Sequence, residues 1–153
     1  MKQCGLSPRL ALFILLWLPA LPAWGGEVDP TTQEKEAIAA YQQFANALMA
    51  GRFDEARAHS REQALELVQL KEAKVLEGLK IPPISTPMFM IVDKKLSLSG
   101  KQAEIQGVQV IQEDTPAGML QPPQLHRQWV KLVWAEQSWK VISFRDVLEE
   151  CCY

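Results

Sequence analysis

The chain has 153 residues, with 16 basic and 18 acidic side chains and a formal net charge of −2 at pH 7. This mildly acidic balance, without any run of five like charges, argues against nucleic-acid binding, which normally uses a basic patch or stripe. The length suits one domain with its own hydrophobic core. The sequence contains no glycine-rich phosphate loop, nucleophile elbow or zinc-binding helix motif.

Residues 1–26 have the organisation of a secretory signal peptide. Lys2 and Arg9 precede an apolar run at 10–18, and Ala23 and Gly25 have the spacing of a small-residue cleavage site. The run is shorter than the stretch of about 20 apolar residues that a membrane span needs. We therefore predict export, cleavage near Gly25 and no stable membrane span afterwards, with an uncleaved N-terminal anchor as the alternative.

Cleavage would leave Cys151 and Cys152, in a tail at 151–153, as the only cysteines. Exported compartments permit disulfides, but neighbouring cysteines close only a strained ring, because ordinary bridges place the Cα atoms about 5.5–6 Å apart. A bridge within the chain, a bridge between chains and a pair of incidental tail residues all remain open. His59 and His126 are distant in sequence, so neither a metal site nor a cofactor is predicted.

Helical periodicity covers the first half of the remaining chain. A capping pattern at 29–34 precedes apolar residues spaced three and four apart up to Gly51, which predicts one long amphipathic helix. A second helical stretch follows, with Asp54 as its expected N-cap. A capping box that begins at Ser60 predicts a break in this stretch, which then continues towards Gly78.

The period changes to two after the prolines at 82 and 83. The first strand would place five apolar residues on one face: Met88, Met90, Val92, Leu96 and Leu98. In the returning strand the apolar parity changes at Gly107, which predicts a β-bulge there. A loop at 113–124 and two strands at 127–134 and 139–147 complete the pattern. Helices followed by strands with short hairpins predict an α+β fold, with helices packed on a bent antiparallel sheet of about four strands.

Two segments carry a resemblance to a known family. They are a helix junction at 47–56, ALMAGRFDEA, and a closing hairpin at 129–142 with tryptophans and β-branched residues, WVKLVWAEQSWKVI. Both resemble the nuclear transport factor 2-like superfamily, a cone-shaped α+β fold that includes polyketide cyclases, ketosteroid isomerases and many exported bacterial proteins. The resemblance implies a single cone domain over 27–150 and, with the signal segment, a location in the bacterial periplasm.

A cone of this kind has an open end where inward side chains line a pocket. The large residues predicted to face it, each of which would serve equally well as core, are Tyr41, Phe44, Phe89, Met90, Trp129 and Trp134. For an isomerase of this family, Tyr41 is the expected donor to a developing oxyanion. His126 and Glu113, on either side of the long loop, are the expected acid–base pair.

A catalytic carboxylate is hard to identify from the sequence. The segment 81–92 contains no Asp or Glu, and Asp146 is expected either to have a role at the rim or to form a salt bridge with Arg145 or Arg127. The sequence therefore favours an exported non-catalytic domain that binds a small apolar ligand or a protein partner. One alternative is a small isomerase or lyase. Another is a dimeric module that pairs through its sheet, with contacts at Trp129, Lys131 and Val133 or at their opposite-face neighbours.

Overall fold

The computed structural model describes residues 30–81, 87–112 and 122–149. Within them, three helices come first, α1 (Pro30–Met49), α2 (Phe53–Ala58) and α3 (Glu62–Leu76). A four-stranded antiparallel sheet of order β1-β2-β3-β4 follows, made of β1 (Met88–Leu96), β2 (Gln102–Ile111), β3 (Gln124–Ala135) and β4 (Ser138–Glu149). The predicted α+β class and element order are confirmed, and β3 and β4 extend beyond their predicted bounds.

Some expectations fall on residues outside these ranges and stay predictions. They concern the signal segment at 1–26, Glu113 as an acid–base partner, and a disulfide between Cys151 and Cys152. Among the described helices, none is long and apolar enough to cross a membrane. The described part of the chain also brings together no group of three His, Cys, Asp or Glu side chains that would hold a metal ion.

The hydrophobic core lies between α1 and the face of the sheet that the helices cover, here called the inner face. Tyr41, Phe44 and Leu48 are buried on one side of α1 because residues three and four apart share a helix face. Alternate strand residues pack against them, since successive side chains of a strand point to opposite faces. These residues include Ala103, Ile105, Val130, Leu132 and Val141.

The helices α2 and α3 lack the side-chain caps that the sequence predicts. Arg52 precedes α2, and Asp54 lies in the first turn of that helix, where it pairs with Arg57 at 2.5 Å. Ser60 does not cap α3, because Arg61 occupies the N-cap position and makes no side-chain cap bond. Both predicted caps are therefore wrong.

The predicted break before α3 is confirmed, and backbone hydrogen bonds to the sheet explain it. The Arg61 N–H donates to the Val141 carbonyl oxygen at 2.8 Å, and the Val141 N–H donates to the His59 carbonyl oxygen at 2.8 Å. These bonds satisfy backbone groups that a helix end would otherwise leave without partners. The chain therefore turns from α2 to α3 by pairing briefly with β4.

The predicted bulge at Gly107 lies in the neighbouring strand instead. Ile91 pairs with Gly107 and Asp93 pairs with Gln106, so Val92 of β1 is the extra residue. β2 itself keeps a regular pairing with β3 past this point. The sequence therefore predicts the position of the bulge along the strands correctly but assigns it to β2, whereas it lies in β1.

The bulge divides the apolar residues of β1 between two environments. Those that pack against the core are Phe89, Ile91 and Leu96. Those that are exposed are Met88, Met90 and Val92. One extra residue reverses the face that all later side chains occupy. The prediction of a single apolar face for this strand is therefore wrong.

A second bulge lies in β4. Lys131 pairs with Ser143, but Leu132 pairs with Val141, so Ile142 is the extra residue. Beyond this point the alternation of β4 is shifted by one residue relative to its first part. The bulge thereby decides which side chains near the end of β4 face the helices.

Candidate functional site

A group of polar side chains interrupts the apolar inner face, at the end of the sheet away from the β3–β4 hairpin. This inner polar cluster consists of Tyr41 of α1, Gln109 of β2, His126 and Gln128 of β3, and Asp146 of β4. Tyr41, Gln109 and Gln128 are fully buried. A buried polar group without a partner costs about 1–3 kcal/mol, so the hydrogen bonds within the cluster determine whether it is tolerated.

The cluster forms a continuous chain of hydrogen bonds. The Tyr41 hydroxyl donates to Gln128 Oε1 at 2.6 Å. Gln128 Nε2 donates to Gln109 Oε1 at 2.8 Å and to Asp146 Oδ1 at 3.0 Å. Asp146 Oδ2 lies 2.8 Å from His126 Nδ1. Gln109 Nε2 is buried and has no partner among the described residues.

Asp146 fixes the position of the proton on His126. An ionised carboxylate can only accept hydrogen bonds, so the 2.8 Å contact places the proton on Nδ1. In the neutral ring, Nε2 then carries the lone pair, and it lies 3.5 Å from Gln124 Oε1. The His126 and Asp146 side chains are 11% and 25% exposed. This pair is therefore the point at which the buried chain of hydrogen bonds reaches solvent.

Tyr41 is a neutral donor at the buried end of the cluster. Burial raises the pKa of Tyr41 well above its usual value, and the negative charge of Asp146 raises it further. The neighbouring Gly107 makes room for the hydroxyl, because a Cβ at that position would lie 2.6 Å from the hydroxyl oxygen. The missing side chain at Gly107 is thus a requirement of the Tyr41–Gln128 hydrogen bond.

Lys71 of α3 brings a positive charge towards the same region. Burial lowers the pKa of Lys71, while the negative charge of Asp146 acts in the opposite direction. The Lys71 ammonium lies 3.3 Å from Met49 Sδ. The positive charge of Lys71 interacts with the negative charge of Asp146 and favours negative charge at this end of the inner face.

Three of the predicted pocket residues belong to the packed interior. Tyr41 and Phe44 are fully buried. Phe89 is partly buried, and its ring meets the Tyr41 ring edge to face with centroids 5.7 Å apart. These aromatic side chains fill the space between α1 and the sheet.

Met90 and Trp129 lie on the outer face of the sheet, away from the helices. The Met90 side chain is exposed because its neighbours Phe89 and Ile91 point to the core. Trp129 is 37% exposed, and the Arg145 guanidinium lies 5.1 Å from its ring centroid. Neither side chain faces the interior of the cone, so their assignment to an inner pocket is corrected.

Trp129 lines an open groove of about 440 Å³ on that outer face. The lining is rich in charged side chains, which include Asp93, Lys95, Glu104, Lys131 and Arg145. Lys131 pairs with Glu104 at 3.1 Å. Trp134, the sixth predicted residue, is also 37% exposed but lies on the inner side, at the hairpin end.

The sequence singled out His126 but missed its partner. Asp146 binds His126 and Gln128, whereas it was expected to pair with Arg145 or Arg127. Arg127 instead pairs with Glu149 of the same strand pair. One signal was present in the sequence: His126 and Gln128 are polar at the same parity as the core residues Val130 and Leu132.

Comparison with solved structures finds this fold in other proteins at low sequence identity. A ketosteroid isomerase-like protein from Erwinia carotovora atroseptica SCRI1043 is 13% identical with a TM-score of 0.56, over 77% of this chain and 97% of that one. A protein proposed to be a dehydratase of the NTF2-like family, from Streptomyces avermitilis, is 15% identical with a TM-score of 0.53, over 77% and 97%.

An NTF2-like protein of unknown function from Silicibacter pomeroyi DSS-3 is 11% identical with a TM-score of 0.50, over 78% of this chain and 98% of that one. No protein-family model matches the chain, and neither does any curated protein. At these identities the likeness establishes the fold and leaves the activity open. The chain therefore has the nuclear transport factor 2-like fold that its helix junction and closing hairpin imply.

Proposed function

We propose that the inner polar cluster is a proton-transfer site and that the chain is a small isomerase or lyase. The observation that carries this proposal is the 2.8 Å contact between His126 Nδ1 and Asp146 Oδ2, which leaves Nε2 as a base. This contact supplies a carboxylate on the inner face, where the sequence identified no catalytic one. The isomerase-like and dehydratase-like neighbours of the fold are consistent with this chemistry by analogy only.

The surroundings of His126 suit a base that gains a proton. Once protonated, the imidazolium would hold Asp146 with Nδ1–H and turn Nε2–H towards Gln124 Oε1, which lies 3.5 Å away. The partly buried Lys71 ammonium would favour an oxyanion that develops on the substrate. The Tyr41 hydroxyl already donates to Gln128. We therefore assign Tyr41 to positioning the cluster and expect a substrate with an acidic C–H next to a carbonyl group.

A generic probe tests this proposal without knowledge of the natural substrate. Nitrobenzisoxazole opens when a base removes its ring C–H proton, and the product absorbs visible light. The full chain should accelerate this reaction, and His126→Gln should lower the rate by about tenfold or more, within the range for a general base. His59→Gln is the matched control, since His59 is the other histidine and lies at the opposite end of the fold. Equal rates for all three proteins would contradict the proposal.

A second function, non-catalytic binding of a small apolar ligand or a protein partner, is favoured by a different observation. Met88, Met90 and Val92 form an exposed apolar row on β1, which is an edge strand. Exposed apolar rows of this kind are typical of protein contact sites. A partner at this row, a second copy included, would be weakened by Met90→Glu. Sedimentation of the full chain and of this variant tests the dimer, which a monomeric wild type would rule out.

We also propose that the chain acts outside the cytoplasm, since residues 1–26 have the pattern of a cleaved signal peptide. N-terminal sequencing of protein recovered from the periplasm of a bacterial host should begin just after Gly25 or Gly26. Full-length protein in the cytoplasm would contradict export.

A further inference from the structure

A cleft of about 260 Å³ lies between the middle of α1 and the β3–β4 hairpin. It is lined by Trp134 and Trp139 on the sheet side and by residues of α1 on the other. The rise of about 3.3 Å per strand residue puts Trp134 about 26 Å along β3 from His126. This hairpin cleft is therefore separate from the inner polar cluster.

The sheet side of the hairpin cleft presents a rigid aromatic wall. Trp134 and Trp139 are directly paired across the two strands, and their rings meet edge to face with centroids 5.7 Å apart. Trp139 is buried, whereas Trp134 is 37% exposed and lines the cleft. Packing against Trp139 thus holds Trp134 in place while part of its surface stays accessible.

The opposite wall combines small residues with unused hydrogen-bonding groups. Ala39 and Ala40 leave space on α1, and Glu36 and Gln43 lie on the same side of the helix, seven residues apart. Gln137 lines the cleft from the hairpin turn. The side chains of Glu36, Gln43 and Gln137 make no hydrogen bond or ion pair with other described residues. They offer both donors and acceptors to a ligand.

The charges around the cleft favour a neutral ligand. Its lining, as far as the described residues go, holds no Lys or Arg that would bind an anion. Burial lowers the pKa of His59, and the nearby charge of Lys140 lowers it further, so this lining residue is neutral at pH 7. A cation would be attracted by Glu36 but repelled by Lys140, whose ammonium lies 2.5 Å from the Ala58 carbonyl oxygen.

We propose that the hairpin cleft binds a neutral polyhydroxylated ring, namely a pyranose sugar. The apolar C–H face of such a ring stacks on Trp134, while its hydroxyls bond to Glu36, Gln43 and Gln137. Aromatic side chains with a polar edge suit ligands that are apolar on one side and hydrated on the other. The volume lies below the range of about 300–1,000 Å³ for drug-sized ligands, which suits a single ring.

Titration of the full chain with glucose and with N-acetylglucosamine, followed by the indole N–H signals in ¹H–¹⁵N spectra, tests this proposal. At least one sugar should shift the Trp134 signal saturably, with a Kd in the millimolar range typical of weak ligands, about −4 kcal/mol. Trp134→Ala should abolish the binding. Trp129→Ala is the matched control, because Trp129 lies on the same strand with the same 37% exposure but on the outer face. It should change the affinity by less than about twofold.

A second variant keeps the proposal testable if Trp134→Ala does not fold. Gln43→Ala removes an exposed helix side chain and should weaken sugar binding about fivefold, the loss of one hydrogen bond. No saturable shift with either sugar would overturn the proposal. Saturable binding of tetramethylammonium in place of both sugars would likewise overturn it and assign a cation site. Neither result depends on proton transfer at His126, so sugar binding and the proposed function can each fail independently of the other.

Discussion

Two neighbouring stretches of β3 place different kinds of side chain on the inner face of the sheet, one apolar and one polar. Val130 and Leu132 face inward and are buried in the apolar core. His126 and Gln128 face inward on the same strand but join a chain of hydrogen bonds. Removal of apolar area from water stabilises the first stretch, at roughly 25 cal/mol per Å². The second stretch loses hydration and depends on every hydrogen bond in the cluster.

This difference shows where the fold replaces apolar packing with buried hydrogen bonds. An apolar residue in place of Gln128 would fit the alternation of β3 and would need no partner. The fully buried Gln128 instead links Tyr41, Gln109 and Asp146. If the inner polar cluster is the proposed proton-transfer site, the polar stretch of β3 holds His126 and Asp146 in place, and its stability depends on the geometry of the cluster.

Insertion of one alanine between Ser143 and Phe144 should have the largest effect. Plain pairing beyond the insertion would set Arg145 opposite Gln128 on the inner face and would turn Asp146 outward. Breaking the cluster and burying an unpaired charge should lower the free energy of unfolding by about 3–5 kcal/mol. Urea unfolding of the full chain measures this loss.

Ile142→Ala is the control for the insertion, since it keeps the residue count and therefore the register. Its expected loss is about 1 kcal/mol, from side-chain truncation at a half-buried site. Equal losses for the insertion and the substitution would show that the register of β4 does not set the orientation of Asp146.

Gly107→Ala should have an intermediate effect, because the new Cβ would lie 2.6 Å from the Tyr41 hydroxyl oxygen and 3.2 Å from the Met90 carbonyl oxygen. We expect a loss of about 1–3 kcal/mol from overpacking. The same substitution in a Tyr41→Phe background should cost less, since the clashing oxygen is gone. A double-mutant cycle by urea unfolding measures the coupling. Simple additivity would contradict the contact between Gly107 and Tyr41.

Tyr41→Phe should have the smallest effect, about 1 kcal/mol at neutral pH, because Gln128 Oε1 loses its donor. The loss should depend on pH. The pKa of Tyr41 is higher in the folded chain than its usual value of 10.0. The unfolded chain therefore releases this proton first as the pH rises above 10.0, and the stability that Tyr41 contributes declines there. Unfolding free energies of both proteins at neutral and alkaline pH measure the difference, and a constant difference would contradict the raised pKa.

The sequence predicts the helices and strands of this fold better than it predicts which of their side chains face the core. The long helix α1, the break before α3 and the four antiparallel strands follow from local periodicity, which depends on neighbouring residues. The cap at Ser60 was wrong because β4 supplies backbone partners to the chain between α2 and α3. The cap at Asp54 was wrong because α2 already begins at Phe53. Such partners come from residues distant in sequence, so local patterns do not reveal them.

The candidate site was only partly predictable for a related reason. His126 was named from its residue type, but Asp146 was expected to pair with an arginine. The bulge at Ile142 turns Asp146 inward, and a residue count along β4 does not show it. Likewise, the bulge at Val92 places Met90 and Leu96 on opposite faces of the sheet, although the two share one parity in the sequence. Alternation defines two faces of a strand, and bulges decide which of them the helices cover.

The proposed proton-transfer site depends on the tautomer of His126. Long-range ¹H–¹⁵N spectra of the full chain, recorded at a pH at which the imidazoles are neutral, show which ring nitrogen carries the proton. The same spectra of His59→Gln identify the signals that belong to His126. We expect a proton fixed on Nδ1 of His126 and a lone pair on Nε2, with that preference lost in Asp146→Asn, where the ionised acceptor is gone. A proton on Nε2 in the wild type, or an Nδ1 preference that Asp146→Asn leaves unchanged, would contradict the claim that Asp146 prepares His126 as a base.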